Sequence, residues 1–261
     1  MNKDNLIIIL LIISIFLYLR RIDFFTNISK KQFIYIIENN KIKKSLDIGS
    51  DIESQINNLK KPVVYIQGSI HGNEPSGTET CNKILEEIKN NKFMNFKGTI
   101  IIFPYPNIVG FTLGIRWALK NFNLDLNRNF TGVGKCNTTK KIIKVVDKSD
   151  FIIDLHEGYS YHLKNKNSVG STLSPNTEKS KNYAINIIKK LNENIKYDYK
   201  KFSINQQDEC YINSTLRCYC KNKNYILVET SGQNNIQPIN LRINQMYLII
   251  SKVLKHMNND I

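Results

Sequence analysis

Short runs of apolar residues separated by polar turns dominate the pattern along this chain. Such runs, when turn residues bound them, are typical of strands that are buried on both faces of a sheet. Five segments are therefore predicted as strands. They cover residues 33–37, 62–70, 99–103, 151–155 and 225–229. Asn39 and Asn40 follow the first run and precede apolar positions that extend to Ile48, which predicts a hairpin.

Apolar residues at helical spacing separate most of these runs. Pro75 fits the first turn of a helix that continues over 78–88, where apolar residues share one face. Further helices are predicted at 141–148, 177–195 and 241–256. Residues 104–137 show little periodicity, and a long irregular segment in a compact enzyme is more often functional than idle. The alternation predicts an α/β fold, with a mixed, mostly parallel twisted sheet and helices on both faces.

An apolar segment from Leu6 to Leu19 precedes this alternation. We predict an N-terminal hydrophobic anchor at residues 1–24 and a folded domain at residues 25–261. As a helix the segment covers about 21 Å against a hydrocarbon core of roughly 30 Å, so flanking residues would have to snorkel. A cleaved signal peptide, with secretion, and a buried core helix are the alternatives. Arg20-Arg21 outweighs Lys3, which favours a cytoplasmic domain.

Composition narrows the classes of function. The net charge of +15 is compatible with a nucleic acid, an anionic membrane or an acidic substrate as partner. The lysines are scattered and form no stripe interleaved with aromatic residues, so we expect no nucleic-acid partner. Hydrophobic residues make up 41% of the chain, which is enough for a buried core. The five cysteines, an odd number, argue against a disulfide framework.

Two histidines and two glutamates lie near the ends of predicted strands. His71 and Glu74 follow the second run, His156 follows the fourth, and Glu229 ends the fifth. The ends of several strands commonly meet at one edge of an open α/β sheet. Two histidines and one glutamate are a common ligand set for catalytic zinc, which leaves a fourth position to water. The pattern predicts a zinc hydrolase, although a histidine at a strand end is often only structural.

Four motifs resemble those of a known family and follow its order along the chain. The stretch 68–77, GSIHGNEPSG, resembles the first zinc motif of the zinc carboxypeptidase family and its aspartoacylase and succinylglutamate desuccinylase relatives. The stretch 124–130, LDLNRNF, resembles the Asn-Arg substrate-binding motif. Asp154-Leu155-His156 resembles the third-ligand motif, and Val228-Glu229-Thr230 resembles the strand with the catalytic glutamate. The resemblance covers roughly residues 60–256.

The resemblance implies one zinc ion per chain, held by His71, Glu74 and His156. It implies that Glu229 is the general base that activates water and later protonates the leaving amine. A carboxylate within hydrogen-bond reach of a zinc-activated water is suited to this proton transfer.

Further roles follow from the same resemblance. Arg128 would bind a substrate carboxylate through two parallel hydrogen bonds, and Asn127 would assist it. Arg116 is assigned to the developing oxyanion, with a surface salt bridge as the alternative. Tyr211 is the candidate, by position, for the tyrosine that carboxypeptidases often carry upstream of the catalytic glutamate. Glu157 could tune the site or be an ordinary turn residue, and we favour the turn residue.

The motifs leave two enzymatic reactions open, because both hydrolyse an amide beside a carboxylate. The first is removal of a carboxy-terminal residue from a peptide, and the second is deacylation of an N-acyl amino acid. Only 32 residues follow Glu229, which leaves no room for the extra β domain of the deacylase relatives and favours the peptidase. An inactive, membrane-tethered binding protein on the same scaffold is a third hypothesis. The expected partners are a substrate with a free carboxylate and a membrane.

Overall fold

The computed structural model describes residues 14, 32–47, 51–118, 124–205 and 214–260. Within these ranges eight strands form a single sheet. The strands are β1 (Phe33–Glu38), β2 (Lys41–Asp47), β3 (Val63–Gln67), β4 (Thr99–Phe103), β5 (Phe151–Gly158), β6 (Thr172–Pro175), β7 (Ser203–Ile204) and β8 (Tyr225–Ser231). Their order across the sheet is β2-β1-β4-β3-β5-β8-β6-β7.

The centre of the sheet is parallel and its flanks are mixed. Strands β4, β3, β5 and β8 run parallel, whereas β1 joins β4 and β6 joins β8 in antiparallel pairs. The predicted mixed, mostly parallel sheet is therefore confirmed. The predicted hairpin is β1–β2, and its turn residues Asn39 and Asn40 have φ values of 51° and 56°. Two-residue hairpin turns of one common type need this left-handed conformation at both positions.

The sequence pattern missed the two short strands at one edge. Strand β6 has four residues, TLSP, and strand β7 has only two. Neither segment carries an apolar run or a clear alternation, so their strand conformation depends on pairing with β8 and with each other. Strand β5 also extends beyond its apolar run to Gly158, because it continues its pairing with β8 as far as Ser231.

Helices cover both faces of the sheet, as predicted. They are α1 (Ile52–Gln55), α2 (Pro75–Lys89), α3 (Ile108–Leu113), α4 (Asn137–Lys148), α5 (Glu178–Asn192), α6 (Leu216–Tyr219) and α7 (Ile239–Asn259). Buried residues of α2, α5 and α7 form one core with the sheet, and those of α1, α4 and α6 form a second core on the opposite face. Alternate strand residues belong to each core, which explains why β3, β4 and the first half of β5 are mostly apolar on both faces.

A close backbone contact fixes the turn between β3 and α2. A Cβ atom on Gly72 would lie only 1.9 Å from the carbonyl carbon of Gly110 in α3, so glycine is needed at this position. Helix α2 begins directly afterwards with Pro75 at its first position, where the missing N–H costs no hydrogen bond. The turn therefore holds His71 and Glu74 in a defined place at the edge of the sheet.

Apart from Ser14, the predicted anchor at residues 1–24 lies outside the described residues, so it stays a prediction together with the domain boundary after it. None of the helices in the described ranges is both long and apolar enough to cross a bilayer. The four described cysteines are Cys81, Cys136, Cys218 and Cys220, and all of them are free thiols.

Candidate active site

The three side chains predicted as metal ligands meet at the carboxyl edge of the sheet. His71 Nδ1 lies 2.9 Å from Glu74 Oε1 and 3.1 Å from His156 Nδ1. His156 Nδ1 lies 3.0 Å from Glu74 Oε2. The potential ligand atoms lie within 4.8 Å of one another, and all three side chains are buried. The Nδ1 atoms of both imidazoles therefore face one common point.

The outward-facing nitrogen of each imidazole lies next to an aspartate. His71 Nε2 is 3.2 Å from Asp125 Oδ1. His156 Nε2 is 3.3 Å from Asp154 Oδ1, which is an ion-pair distance but off the angle of a good hydrogen bond. Histidines that bind metals commonly keep their second nitrogen against a carboxylate, which sets the tautomer and the ring orientation. Both rings are arranged to present Nδ1 as the ligand atom.

Asp154 is itself fixed by a buried network. Gln67 Nε2 donates to Asp154 Oδ1 at 2.8 Å, and the Tyr225 hydroxyl donates to Oδ2 at 2.8 Å. The Tyr65 hydroxyl donates in turn to Gln67 Oε1 at 3.1 Å. All four side chains are fully buried. Buried polar groups are expensive unless they are hydrogen-bonded, so this network holds the carboxylate beside His156 in one orientation.

The cluster is electrostatically suited to a cation. Burial would raise the pKa of Glu74, but His71 and His156 hold that pKa well below its ordinary value. The pKa of Asp125 is also lowered despite burial, because His71 lies beside it. Burial would lower the pKa of His156, whereas Asp154 and Glu74 raise it well above the ordinary value. Glu74 and Asp125 therefore stay ionised beside the two rings and attract positive charge.

The donor set fits a divalent cation. The two Nδ1 atoms lie 3.1 Å apart and both face the carboxylate of Glu74, while Arg116 Nη1 lies 3.2 Å from His71 Nδ1. A cation between them would satisfy both nitrogens and the carboxylate together. Two histidines and a glutamate match the protein ligands of catalytic zinc sites, which keep a further position for water or substrate.

Glu229 lies beside this cluster on the neighbouring strand. It is the register partner of His156 in the parallel β5–β8 pair. Adjacent strands are about 4.8 Å apart, and residues directly opposite each other project to the same face. His156 and Glu229 line one cleft of about 190 Å³ together with His71 and Glu74. Glu229 is 7% exposed and lines the same cleft as the ligand cluster.

The predicted substrate-binding pair lines the same cleft. Asn127 and Arg128 lie in a 3₁₀ turn, Leu126–Arg128. The Asn127 side-chain oxygen accepts a hydrogen bond from the N–H of Leu216 at 3.0 Å, and Arg128 Nη1 donates to the carbonyl of Asn127 at 2.9 Å. Asn127 therefore connects the turn to α6 by a hydrogen bond, and Arg128 lines the cleft.

Arg116 is held within the site. Its Nε and Nη2 atoms donate to Asp125 Oδ2 at 3.0 and 2.9 Å, and its Nη1 lies 3.5 Å from Glu74 Oε1. It lines the cleft and its side chain is 29% exposed, so its ion pair belongs to the site. Tyr211 lies outside the described residues, and its role stays a prediction.

Comparison with known proteins identifies the family. Residues 60–196, slightly more than half of the chain, match the model described as the succinylglutamate desuccinylase/aspartoacylase catalytic domain. The chain belongs to this family. The resemblance expected from the four motifs is thereby confirmed, and the matched domain is the catalytic domain of a family of hydrolases. No curated protein matches the sequence closely enough to count as a relative.

Solved structures share the fold of this family member. The tripeptide-bound cell shape determinant Csd4 of Helicobacter pylori is 18% identical, with a TM-score of 0.65 over 86% of this chain and 55% of that one. Bovine thrombin-activatable fibrinolysis inhibitor, in complex with tick carboxypeptidase inhibitor, is 12% identical, with a TM-score of 0.57 over 77% and 84%. The succinylglutamate desuccinylase/aspartoacylase of Rhodobacter sphaeroides is 19% identical, with a TM-score of 0.53 over 75% and 55%. At such identities the likeness concerns the fold alone, and this chain spans about half the length of Csd4.

Sequence analysis of this family member missed several residues that orient the cluster, among them Asp125 and Gln233. Asp125, which orients His71 and Arg116, lies inside the Asn-Arg motif only two positions before Asn127. Gln233 follows β8, and its side-chain amide donates to Glu74 Oε1 at 3.1 Å. The position of Asp125 within a recognised motif could have revealed it. Nothing local distinguishes Gln233, because its partner is 159 positions away in the sequence.

Asp154→Asn is expected to weaken zinc binding about 10- to 100-fold, which is the usual cost of losing the carboxylate partner of a metal-bound histidine. Asparagine keeps the shape of the side chain but removes the charge that orients His156. Competition with a chromophoric chelator would measure the affinity. Asp147→Asn, on the half-exposed side of α4, is the matched control and should bind zinc as wild type does. Equal affinities in all three proteins would contradict the role given to Asp154.

Proposed function

We propose that this chain is a zinc-dependent amide hydrolase, a metallocarboxypeptidase that removes the carboxy-terminal residue of a peptide. The observation that carries the proposal is the position of Glu229. It is the register partner of His156 and lines one cleft with the His71–Glu74–His156 cluster. The cleft thus combines a set of metal ligands, the carboxylate of Glu229 and the guanidinium of Arg128. These groups suit hydrolysis of an amide bond that lies next to a carboxylate of the substrate.

Each group has a defined task. The chemistry that zinc supplies when bound is acidification of water to a pKa of about 7 and polarisation of a carbonyl. His71, Glu74 and His156 would hold the ion. Glu229 takes the proton from the attacking water and passes it to the nitrogen of the leaving amine. Because Glu229 lines the cleft that holds the cluster, it can serve both transfers without leaving the cleft.

The arginines bind and stabilise negative charge. Arg128 binds the free carboxylate of the substrate, because a planar guanidinium can donate two parallel hydrogen bonds to it. Asn127 supports this contact by fixing the turn that carries Arg128. Arg116, held by Asp125 with its Nη1 near Glu74, is assigned to the oxyanion that develops on the scissile carbonyl.

Deacylation of an N-acyl amino acid is the second candidate. The family match favours it, because the matched model is that of succinylglutamate desuccinylase and aspartoacylase. The peptidase proposal is supported by similarity to Csd4, whose structures include tripeptide-bound and mDAP-bound forms and which is described as a D,L-carboxypeptidase. Both reactions require the same groups around the cleft.

A substrate panel separates the two reactions. We expect the purified zinc-loaded protein to release the last residue from peptides with varied carboxy termini, and to lose this activity with a chelator. N-acyl amino acids, including succinylglutamate and acetylaspartate, form the second arm of the panel. Peptides amidated at the carboxy terminus are the control, because Arg128 then has no carboxylate to bind. Cleavage of N-acyl amino acids alone would replace the peptidase by the deacylase, and no hydrolysis of any substrate would favour a binding protein.

A further inference from the structure

Glu157 directly follows His156 on β5, but its side chain projects to the opposite face of the sheet. The interpretation of Glu157 as a turn residue is wrong, because β5 continues to Gly158 and the side chain is only 2% exposed. Arg242 of α7, which is 3% exposed, donates to Glu157 Oε2 through Nη1. A buried ion pair therefore lies immediately behind the ligand cluster.

The other carboxylate oxygen of Glu157 holds the start of helix α2. Glu157 Oε1 accepts a hydrogen bond at 2.7 Å from the N–H of Ser76, in the first turn of that helix. First-turn N–H groups lack partners within a helix, and the positive end of the helix dipole favours a carboxylate there. Glu74 lies two positions before Ser76, so the side chain of Glu157 fixes the segment that carries this ligand.

The backbone of Glu157 contacts Glu74 as well. The N–H of Glu157 donates to Glu74 Oε2 at 3.1 Å. The carbonyl of Glu157 accepts from Gln233 Nε2, and the same amide donates to Glu74 Oε1 at 3.1 Å. Glu74 Oε2 is therefore oriented by the backbone N–H of Glu157, and Glu74 Oε1 by the Gln233 amide, which also donates to the carbonyl of Glu157. His156 directly precedes Glu157 in the chain.

The backbone of Gly232 packs closely against the carboxylate of Glu157. A Cβ atom on Gly232 would lie 1.8 Å from Glu157 Oε2, so glycine at this position makes room for the ion pair. A buried carboxylate that loses its partner is left as an uncompensated charge and must move or become neutral. Any such movement would be transmitted to Ser76 and to Glu74.

We propose that the Glu157–Arg242 pair is a positioning device for the metal centre, which holds Glu74 at the start of α2 in register with His156 on β5. The side chain of Glu157 projects to the face of β5 opposite His156, so the pair acts through the geometry of Glu74 and His156. The inference rests on the zinc role given to these residues in the proposed function. Through Arg242, helix α7 would thus support metal binding although it contributes no ligand.

Zinc affinity, measured by chelator competition on the folded protein well below its melting temperature, tests the proposal. Glu157→Gln and Arg242→Met are expected to bind zinc about 10- to 100-fold more weakly, as is usual when an orienting partner is lost. Arg242→Lys keeps the charge and should lie between these variants and wild type. It also preserves the test if Arg242→Met fails to fold.

Glu87→Gln is the matched control, because Glu87 accepts a hydrogen bond from Tyr247 and also joins α2 to α7, but far from the cluster. If the role of the pair is purely structural, the variants of Glu157 and Arg242 should have lower melting temperatures but the zinc affinity of wild type. That result would overturn the proposal. Zinc affinity is measured without substrate. Weaker zinc binding in the variants, together with no hydrolysis by the zinc-loaded wild-type protein, would reject the proposed reaction and keep the positioning role. Hydrolysis by the wild-type protein, together with wild-type zinc affinity in Glu157→Gln, would do the reverse.

Discussion

Glu229→Gln is expected to lower kcat about 10²- to 10⁴-fold while zinc content stays near one ion per chain. Loss of a positioned general acid–base group typically costs this much. Glutamine keeps the shape of the side chain and of strand β8, so the pairing of Glu229 with His156 should survive. What disappears is the basic carboxylate that accepts the proton of water. Steady-state kinetics on the best peptide of the panel, with metal analysis of the same preparation, would measure both quantities.

The matched control for this variant is Glu178→Gln, at the exposed start of α5, where the same change in charge should leave kcat unchanged. The pH profile offers a second readout, because removal of the base should abolish the acidic limb of kcat/KM. Unchanged turnover in Glu229→Gln would remove this residue from the mechanism. Loss of zinc together with loss of activity would show that Glu229 acts on metal binding instead.

The strands that deliver the site were predictable because they are buried on both faces. Apolar runs marked β3, β4, β5 and β8. Polar residues that end or follow three of these runs became the His71–Glu74–His156 cluster and the adjacent Glu229. A parallel sheet brings the carboxyl ends of its strands together, so convergence follows from the pattern alone. The resemblance of the motifs then gave each group a role.

Residues that orient the ligands were harder to predict, because their partners are distant in sequence. Arg242 lies 85 positions from Glu157, and Gln233 lies 159 positions from Glu74. The sequence around Arg242 does not show that this arginine is buried, because its partner Glu157 lies on a distant strand. From the sequence, Arg116 was predicted either to stabilise the oxyanion or to form a surface salt bridge. Its ion pair with Asp125 inside the site is visible only in the structure.

His71→Ala is expected to reduce zinc from about one ion per chain to well below that value. The substitution removes one of three ligands, so the loss of affinity should exceed the roughly 10- to 100-fold cost of losing an orienting partner. It also leaves Asp125 without its imidazole partner, while Arg116 continues to compensate its charge. The variant should therefore fold, and metal analysis after dialysis would measure its zinc.

His256→Ala is the matched control for His71→Ala, because His256 lies on α7 and stacks on Tyr183 away from the cleft. Zinc content in the control should equal that of wild type. The cluster predicts a graded series, in which His71→Ala and His156→Ala lose most zinc, Asp154→Asn loses affinity and His256→Ala loses none. Equal zinc in His71→Ala and wild type would mean that the two imidazoles converge for structural reasons, and the hydrolase proposal would lose its metal.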